Sequence, residues 1–332
     1  MKRLLNLSFI INRQWKFWQK KIYFGYKSSS PFKLHNQIYM GTFQSIGVFY
    51  AILAVISLYF FTTLPRASST LNLNPPKTFS FLSHLPTGFI NLFIELSPIV
   101  LFSCFYLIRF RLARIVATFS FIFLFAYKCS FNHNYHNELI LIYTALVFCL
   151  IPTWGNRKFN DTRSQKHYHI LLYSFGLFVF LFPYTLSGLW KLGHGMIWQL
   201  FFDDISFWNI NSMSYVVSSY IITSGKPGLL SGFIIENPII GYFLLLGGIF
   251  WELIVILPLF RPMHWRLTSV LLILFHLLSV YILNIQFNWQ MAAAVLFIYY
   301  TPLYQPPEDK KQLLITLPLI GPGLNYCWKI LK

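Results

Sequence analysis

Lys191 stands in the stretch Tyr184-Thr185-Leu186-Ser187-Gly188-Leu189-Trp190-Lys191-Leu192-Gly193-His194-Gly195, followed by Trp198. A lysine set among aromatic, apolar and small residues can serve as a general base. The ordinary alternative is a lysine that snorkels toward water. Three further ionisable groups, Glu95, Glu252 and His276, fall inside long apolar runs. A charged side chain at the centre of a bilayer costs about 3 kcal/mol on insertion scales, so such groups are expected to be buried against a partner or a cavity. Glu252 and His276 fall at similar depth on neighbouring antiparallel runs, which makes them a candidate pair. Two readings of that pair stay open: a hydrogen bond locking two helices together, and a proton relay or cavity wall.

A second polar cluster, Asn132-His133-Asn134-Tyr135-His136-Asn137-Glu138, occupies a short turn between apolar runs. Histidines three apart can share a helical face and ligate a metal, but solvated loop histidines have the same spacing, and no metal is predicted. His133, His136, Lys191, His194, Trp198 and Asn284 all belong to segments expected on one side of the molecule. They are therefore the candidates for binding or acting on a ligand there, with convergence on a site and plain hydrophilic loops both open.

The elements that must position these residues are membrane-spanning helices. Hydrophobic residues make up 56% of the 332 and charged residues 11%, where a soluble domain carries roughly 25% charge. The apolar runs are continuous rather than alternating, which excludes the strands of a transmembrane barrel. The fold class is thus an all-α integral membrane bundle without a large soluble domain. Spans are expected at about 43–62, 88–108, 112–127, 138–152, 170–190, 239–260, 265–284 and 286–303, each near the roughly 20 residues a crossing needs. The fourth is short. Residues 191–238, rich in aromatics beside Asp203 and Asp204, are expected to form an interfacial or re-entrant element.

The net charge of +17 suggests nucleic acid until its placement is considered. With about eight spans and both termini cytoplasmic, all 26 lysines and arginines fall inside except Arg66, Lys77, Lys128, Lys191 and Lys226. That asymmetry is the positive-inside rule, and no nucleic-acid role is expected. Residues 1–39 read as a basic amphipathic segment on an anionic cytoplasmic membrane face. Residues 306–332 read as a short cytoplasmic or interfacial tail. Cys104, Cys129, Cys149 and Cys327 have no metal or redox spacing. No secretory signal pattern is evident, and the expected location is a bacterial plasma membrane.

Three stretches of this sequence resemble the vitamin K-dependent gamma-carboxylase and its bacterial relatives, the horizontally transferred transmembrane (HTTM) domain family. They are Asn132-His133-Asn134-Tyr135 with Leu139; Ser187-Gly188-Leu189-Trp190-Lys191-Leu192 with Trp198; and Phe275-His276 followed by Phe287 and Ala292 to Ala294. The resemblance covers roughly residues 40–305. It implies a membrane domain that deprotonates a reduced quinone, with Lys191 as the base and His133 as its acid/base or orienting partner. The arginine that opens the family's first helix is absent, Gln44 standing in that neighbourhood. The short tail after about residue 305 points to the quinone half of that chemistry rather than to carboxylation of a protein.

Two other classes of function remain open at this level. One is a small-molecule or proton-coupled transporter using Glu95, Glu252 and His276, although no internal repeat of the transporter kind is evident. The other is a non-catalytic membrane anchor or assembly factor. The sequence names no protein partner.

Overall fold

The computed structural model describes residues 31–68, 77–131, 138–153, 163–201, 209–285 and 287–303. The chain folds into a helical bundle, with no strand among the described residues. The long helices are α1 (Pro31–Thr63), α2 (Thr87–Tyr106), α3 (Arg111–Cys129), α5 (Arg163–Phe201), α8 (Pro238–Ile254) and α9 (Trp265–Leu283). Each contains or extends into an apolar segment of 19 to 28 residues, enough to cross a hydrocarbon core. Shorter apolar helices are α4 (Leu139–Leu150) and the pair α10 (Phe287–Ala294) and α11 (Leu296–Tyr299). The remaining helices, α6 (Ser212–Ser224) and α7 (Ser231–Glu236), form a hairpin between α5 and α8.

Helix α1 is the hub, packing against α2, α3, α5, α10 and α11. Its residues Ile46, Phe49, Tyr50, Leu53 and Ile56 are all fully buried, and they follow the helical repeat. Around Phe49 the rings of Phe148 and Phe297 meet it edge-on at 5.3 and 5.0 Å, a favoured aromatic geometry. Polar groups inside this core are matched rather than excluded: Ser45 Oγ donates to the Phe297 carbonyl at 2.8 Å and meets Tyr173 Oη at 2.6 Å.

Arginine 114 ties three helices at one end of the bundle. It is fully buried, and its guanidinium donates to the carbonyls of Phe148 (3.0 Å), Ile151 and Ile108. Arg111 adds a bond from Nε to the Cys149 carbonyl at 2.9 Å. These carbonyls lie at and just beyond the C-terminal ends of α2 and α4, where the last turn has no intrahelical donors and the macrodipole is negative. The planar five-donor fork of arginine suits such a cluster. Read from sequence, Arg111 and Arg114 only mark orientation; in the fold they satisfy helix ends.

The hairpin α6–α7 is fastened to the opposite end. The Leu230 amide donates to the Tyr281 carbonyl at 2.9 Å, and Ser231 Oγ donates to the Ile282 carbonyl at 2.7 Å. Both acceptors are orphans at the C-terminus of α9, which Asn284 ends in the left-handed conformation at φ 53°. The approach requires Gly228, because a Cβ there would lie 2.4 Å from the Tyr281 carbonyl oxygen.

Several boundaries differ from expectation. Helix α1 begins at Pro31, inside the segment assigned to a surface element, while residues 1–30 and the tail from 304 lie outside the described residues. Helix α5 continues past Lys191 to Phe201, so the separate element begins later than residue 191. The glycines at 193 and 195 lower helix propensity without breaking the hydrogen-bond ladder. The expected last span is two pieces interrupted at Val295, whose carbonyl accepts a bond from Ser269 Oγ at 3.1 Å. The same carbonyl also accepts the Ile298 amide at 2.9 Å, a tighter bond than the 3.3 Å one from the Tyr299 amide, so the turn tightens there.

Replacing the guanidinium leaves several helix-end carbonyls without donors in a dry setting. Arg114→Met is expected to destabilise the protein by about 3 kcal/mol, read as a lowered thermal midpoint in lipid nanodiscs. Arg114→Lys keeps the charge but lacks the fork and is expected to recover only part of the loss.

Candidate functional site

Tyr184, Gly188 and Lys191 follow one another at helical spacing, so they form one stripe on α5. At its middle the helix meets α8. A Cβ on Gly188 would stand 3.0 Å from both the Glu252 Cβ and the Leu253 amide nitrogen. Glycine therefore lets the two helices approach closely enough for side chains one turn away to pair. Lys191 Nζ donates to both oxygens of Glu252, at 2.6 and 2.8 Å. On the other side of Gly188, Tyr184 Oη and His276 Nε2 share a hydrogen bond of 2.8 Å. One stripe thus carries a donor to α8 and a hydroxyl to α9.

The two members of the ion pair sit in different surroundings. The Glu252 side chain is 5% exposed, the Lys191 side chain 44%. Lys191 belongs to the wall of a cavity of about 720 Å³, within the size range of small-molecule sites. Lys191 and His194 line it from α5, Gly248 and Ile249 from α8, and Phe275 and Ser279 from α9. Ser212 and Met213 of α6 cover it. The cavity exists because α8 packs on α5 and on the hairpin, whereas α9 packs on α10, α11, α6 and α7. Where α8 and α9 do touch, Gly248 admits the Phe275 ring at 3.3 Å.

The arrangement offers one buried carboxylate, one amine at an apolar wall and, about two turns from it along α5, a tyrosine hydroxyl bonded to His276 of α9. Paired, the Lys191 ammonium and the Glu252 carboxylate leave no net charge in the hydrocarbon layer. A separated charge would carry the insertion penalty. The pair therefore offers a ligand's polar end a donor at the wall with an acceptor behind it.

Each expected residue can be placed against this geometry. Lys191 and His194 line the cavity, His194 with its ring 5.4 Å from that of Trp190. Glu252 and His276 are buried as expected, but their hydrogen bonds run to Lys191 and Tyr184 rather than forming the Glu252–His276 pair. The α5 stripe supplies both with partners. Glu95 is not a buried group: its side chain is 53% exposed and its carboxylate lies 3.6 Å from the Arg66 guanidinium. Its helix α2 packs on α1 and α3, not beside the cavity. Asn284 serves as the end of α9, between the lining residues Leu283 and Ile285. Trp198 lies on α5, with its side chain outside the described residues, and His133 and His136 lie outside them altogether. Among the described residues, no three His, Cys, Asp or Glu side chains converge on a metal position.

Sequence reasoning missed Tyr184 as a site residue, although its distance from Gly188 and Lys191 was available. It also missed the pair of Lys128, in the last turn of α3, with the buried Glu138 just before α4. Lys128 also lies over the Phe60 ring at 5.0 Å.

The Lys191–Glu252 link is measurable as a coupling. Lys191→Met and Glu252→Gln should each destabilise, and the double variant should be less destabilised than the sum by about 1–3 kcal/mol. Thermal unfolding of the four proteins in nanodiscs gives that coupling directly; additivity would show that the pair contributes nothing.

No protein-family model matches the chain, and no curated protein or solved structure matches it.

Proposed function

We propose that the chain is a membrane-embedded enzyme of the HTTM, gamma-carboxylase-like kind that acts on a reduced quinone or a similar lipid-soluble phenol, with Lys191 as the base. The observation that carries this reading is the double placement of the Lys191 amine. It lies on the wall of an apolar cavity of about 720 Å³, and it is within 2.6–2.8 Å of a buried carboxylate. The Lys191 ammonium gives one proton to Glu252, breaking an N–H bond and forming an O–H bond. The freed amine then takes the proton of the phenolic hydroxyl, leaving a phenolate in the cavity. No electrons move in these steps. Exclusion of water by the apolar walls strengthens the attraction between the new ammonium and the phenolate.

The same reading sets the orientation of the protein. The bias of lysine and arginine favours eight crossings with both termini cytoplasmic, which puts the α6–α7 hairpin and the cavity toward the outer side of a plasma membrane. His133, which the resemblance makes a partner of the base, belongs to a turn on that side.

The test uses the full chain in nanodiscs supplied with reduced naphthoquinone, with and without oxygen, and mass spectrometry of the products. A positioned base contributes on the order of 10²–10⁴-fold to a rate. Oxygen-dependent epoxide from the wild type, lowered at least 100-fold in Lys191→Ala, supports the proposal. Equal turnover by both proteins, or none by either, overturns it.

A further inference from the structure

The walls of the cavity differ in what lies behind them. On the hairpin side, Ser212 and Met213 line it and are buried, so protein covers that end. Along the flank, Trp190, Leu244 and Leu278 line it and yet remain 71%, 37% and 38% exposed. All three belong to helices long and apolar enough to cross a membrane, within Tyr168–Gly195, Pro238–Leu259 and Pro262–Leu283. Their neighbours Leu189, Phe243 and Leu274 are exposed as well. A surface of exposed leucine, phenylalanine and tryptophan on spanning helices faces acyl chains, since hydrocarbon is the medium at that depth. The opening of the cavity is thus continuous with the lipid-facing surface, and Val216 of α6, half exposed and lining, extends the same apolar rim.

We infer that the cavity takes a chain-bearing amphiphile directly from the bilayer, through a lateral mouth framed by Trp190, Leu244 and Leu278. The polar end of the molecule meets Lys191 and Glu252, and its acyl or prenyl chain passes back out between Leu244 and Leu278. A chain that leaves the bilayer for this cavity exchanges one apolar surrounding for another, so entry carries little penalty. A polar end carried inward finds the Lys191 ammonium, the one lysine, arginine or carboxylate among the described wall residues, with the Glu252 carboxylate behind it. Among the described residues, buried Ser212 and Met213 of α6 close the hairpin end against a water-soluble ligand, and the flank faces hydrocarbon. The inference rests on the reading of this cavity as the substrate site, and it adds the route of entry and the requirement for a chain.

The experiment reads occupancy alone. The full chain in phosphatidylcholine nanodiscs is photolysed with a long-chain fatty acid carrying a diazirine a few carbons from its carboxyl group, and adducts are mapped by mass spectrometry. The expected result is adducts on the inner wall, at Ile249, Phe275 or Ser279, besides those on the lipid-facing Ile239 and Phe243. Filling the mouth with the double substitution Leu244→Trp and Leu278→Trp should lower inner-wall adducts at least tenfold and leave the Ile239 and Phe243 adducts unchanged, which also confirms that the variant inserts and folds. Adducts confined to the lipid-facing residues overturn the inference. So does an inner-wall yield unaffected by the two tryptophans, or equal inner-wall labelling by a short, water-soluble diazirine acid. Chain adducts without quinone turnover sustain the lateral mouth and remove the proposed chemistry; turnover without chain adducts does the reverse.

Discussion

A charge inside hydrocarbon must have its counter-charge within hydrogen-bonding reach, and in this protein that demand fixes how two long helices meet. Lys191 on α5 and Glu252 on α8 can touch only if the helix axes come close, and the missing side chain at Gly188 permits the approach. Once α5 and α8 are joined there, α9 is left to the hairpin and to α10 and α11, and a cavity opens in the remaining space. Tyr184, one turn below Gly188, spans the divide by bonding His276 of α9. The cavity is therefore a product of pairing rather than a defect in packing, and Lys191, which stands on its wall, is the member of the pair that is not fully enclosed.

The same demand is met differently elsewhere in the bundle. Arg114 donates instead to main-chain carbonyls at the ends of α2 and α4. Several partial charges, each backed by a helix dipole, stand in for one anion. At the other end of α3, Lys128 uses a true counter-ion, the buried Glu138 at the start of α4. Helix α3 is thus pinned at both ends, and α4, only 12 residues long, is held between two electrostatic anchors instead of by length.

Much of the architecture was legible in the sequence, because a hydrocarbon layer imposes a length and a composition on whatever crosses it. Six of the expected spans correspond to long apolar helices, and the fourth is as short as its sequence suggested. The costliness of Glu252 and His276 was equally legible, since few uncharged runs tolerate an ionisable group. Their partners were not. Depth along two antiparallel helices says that they are level, but not that a third helix inserts a tyrosine and a lysine between them. Glu95 shows the opposite failure: position in an apolar run does not reveal the rotation of the helix, and its carboxylate turns to the surface and to Arg66. The role of Arg114 was hidden because orientation alone already accounted for an arginine at that place.

The fastening of the α6–α7 hairpin has a consequence for how this part of the chain can vary. Its links to α9 use the main-chain amide of Leu230, the small hydroxyl of Ser231 and the bare Cα of Gly228, against main-chain carbonyls. A joint made of backbone is indifferent to most side chains. Beyond the buried cluster of Met213, Val217 and Ile234 on Ile282, the exposed surface of the hairpin is free to drift in sequence while the cover over the cavity keeps its seat. Families of such proteins can therefore diversify the rim of the site, and with it the ligand admitted, without rebuilding the helices beneath.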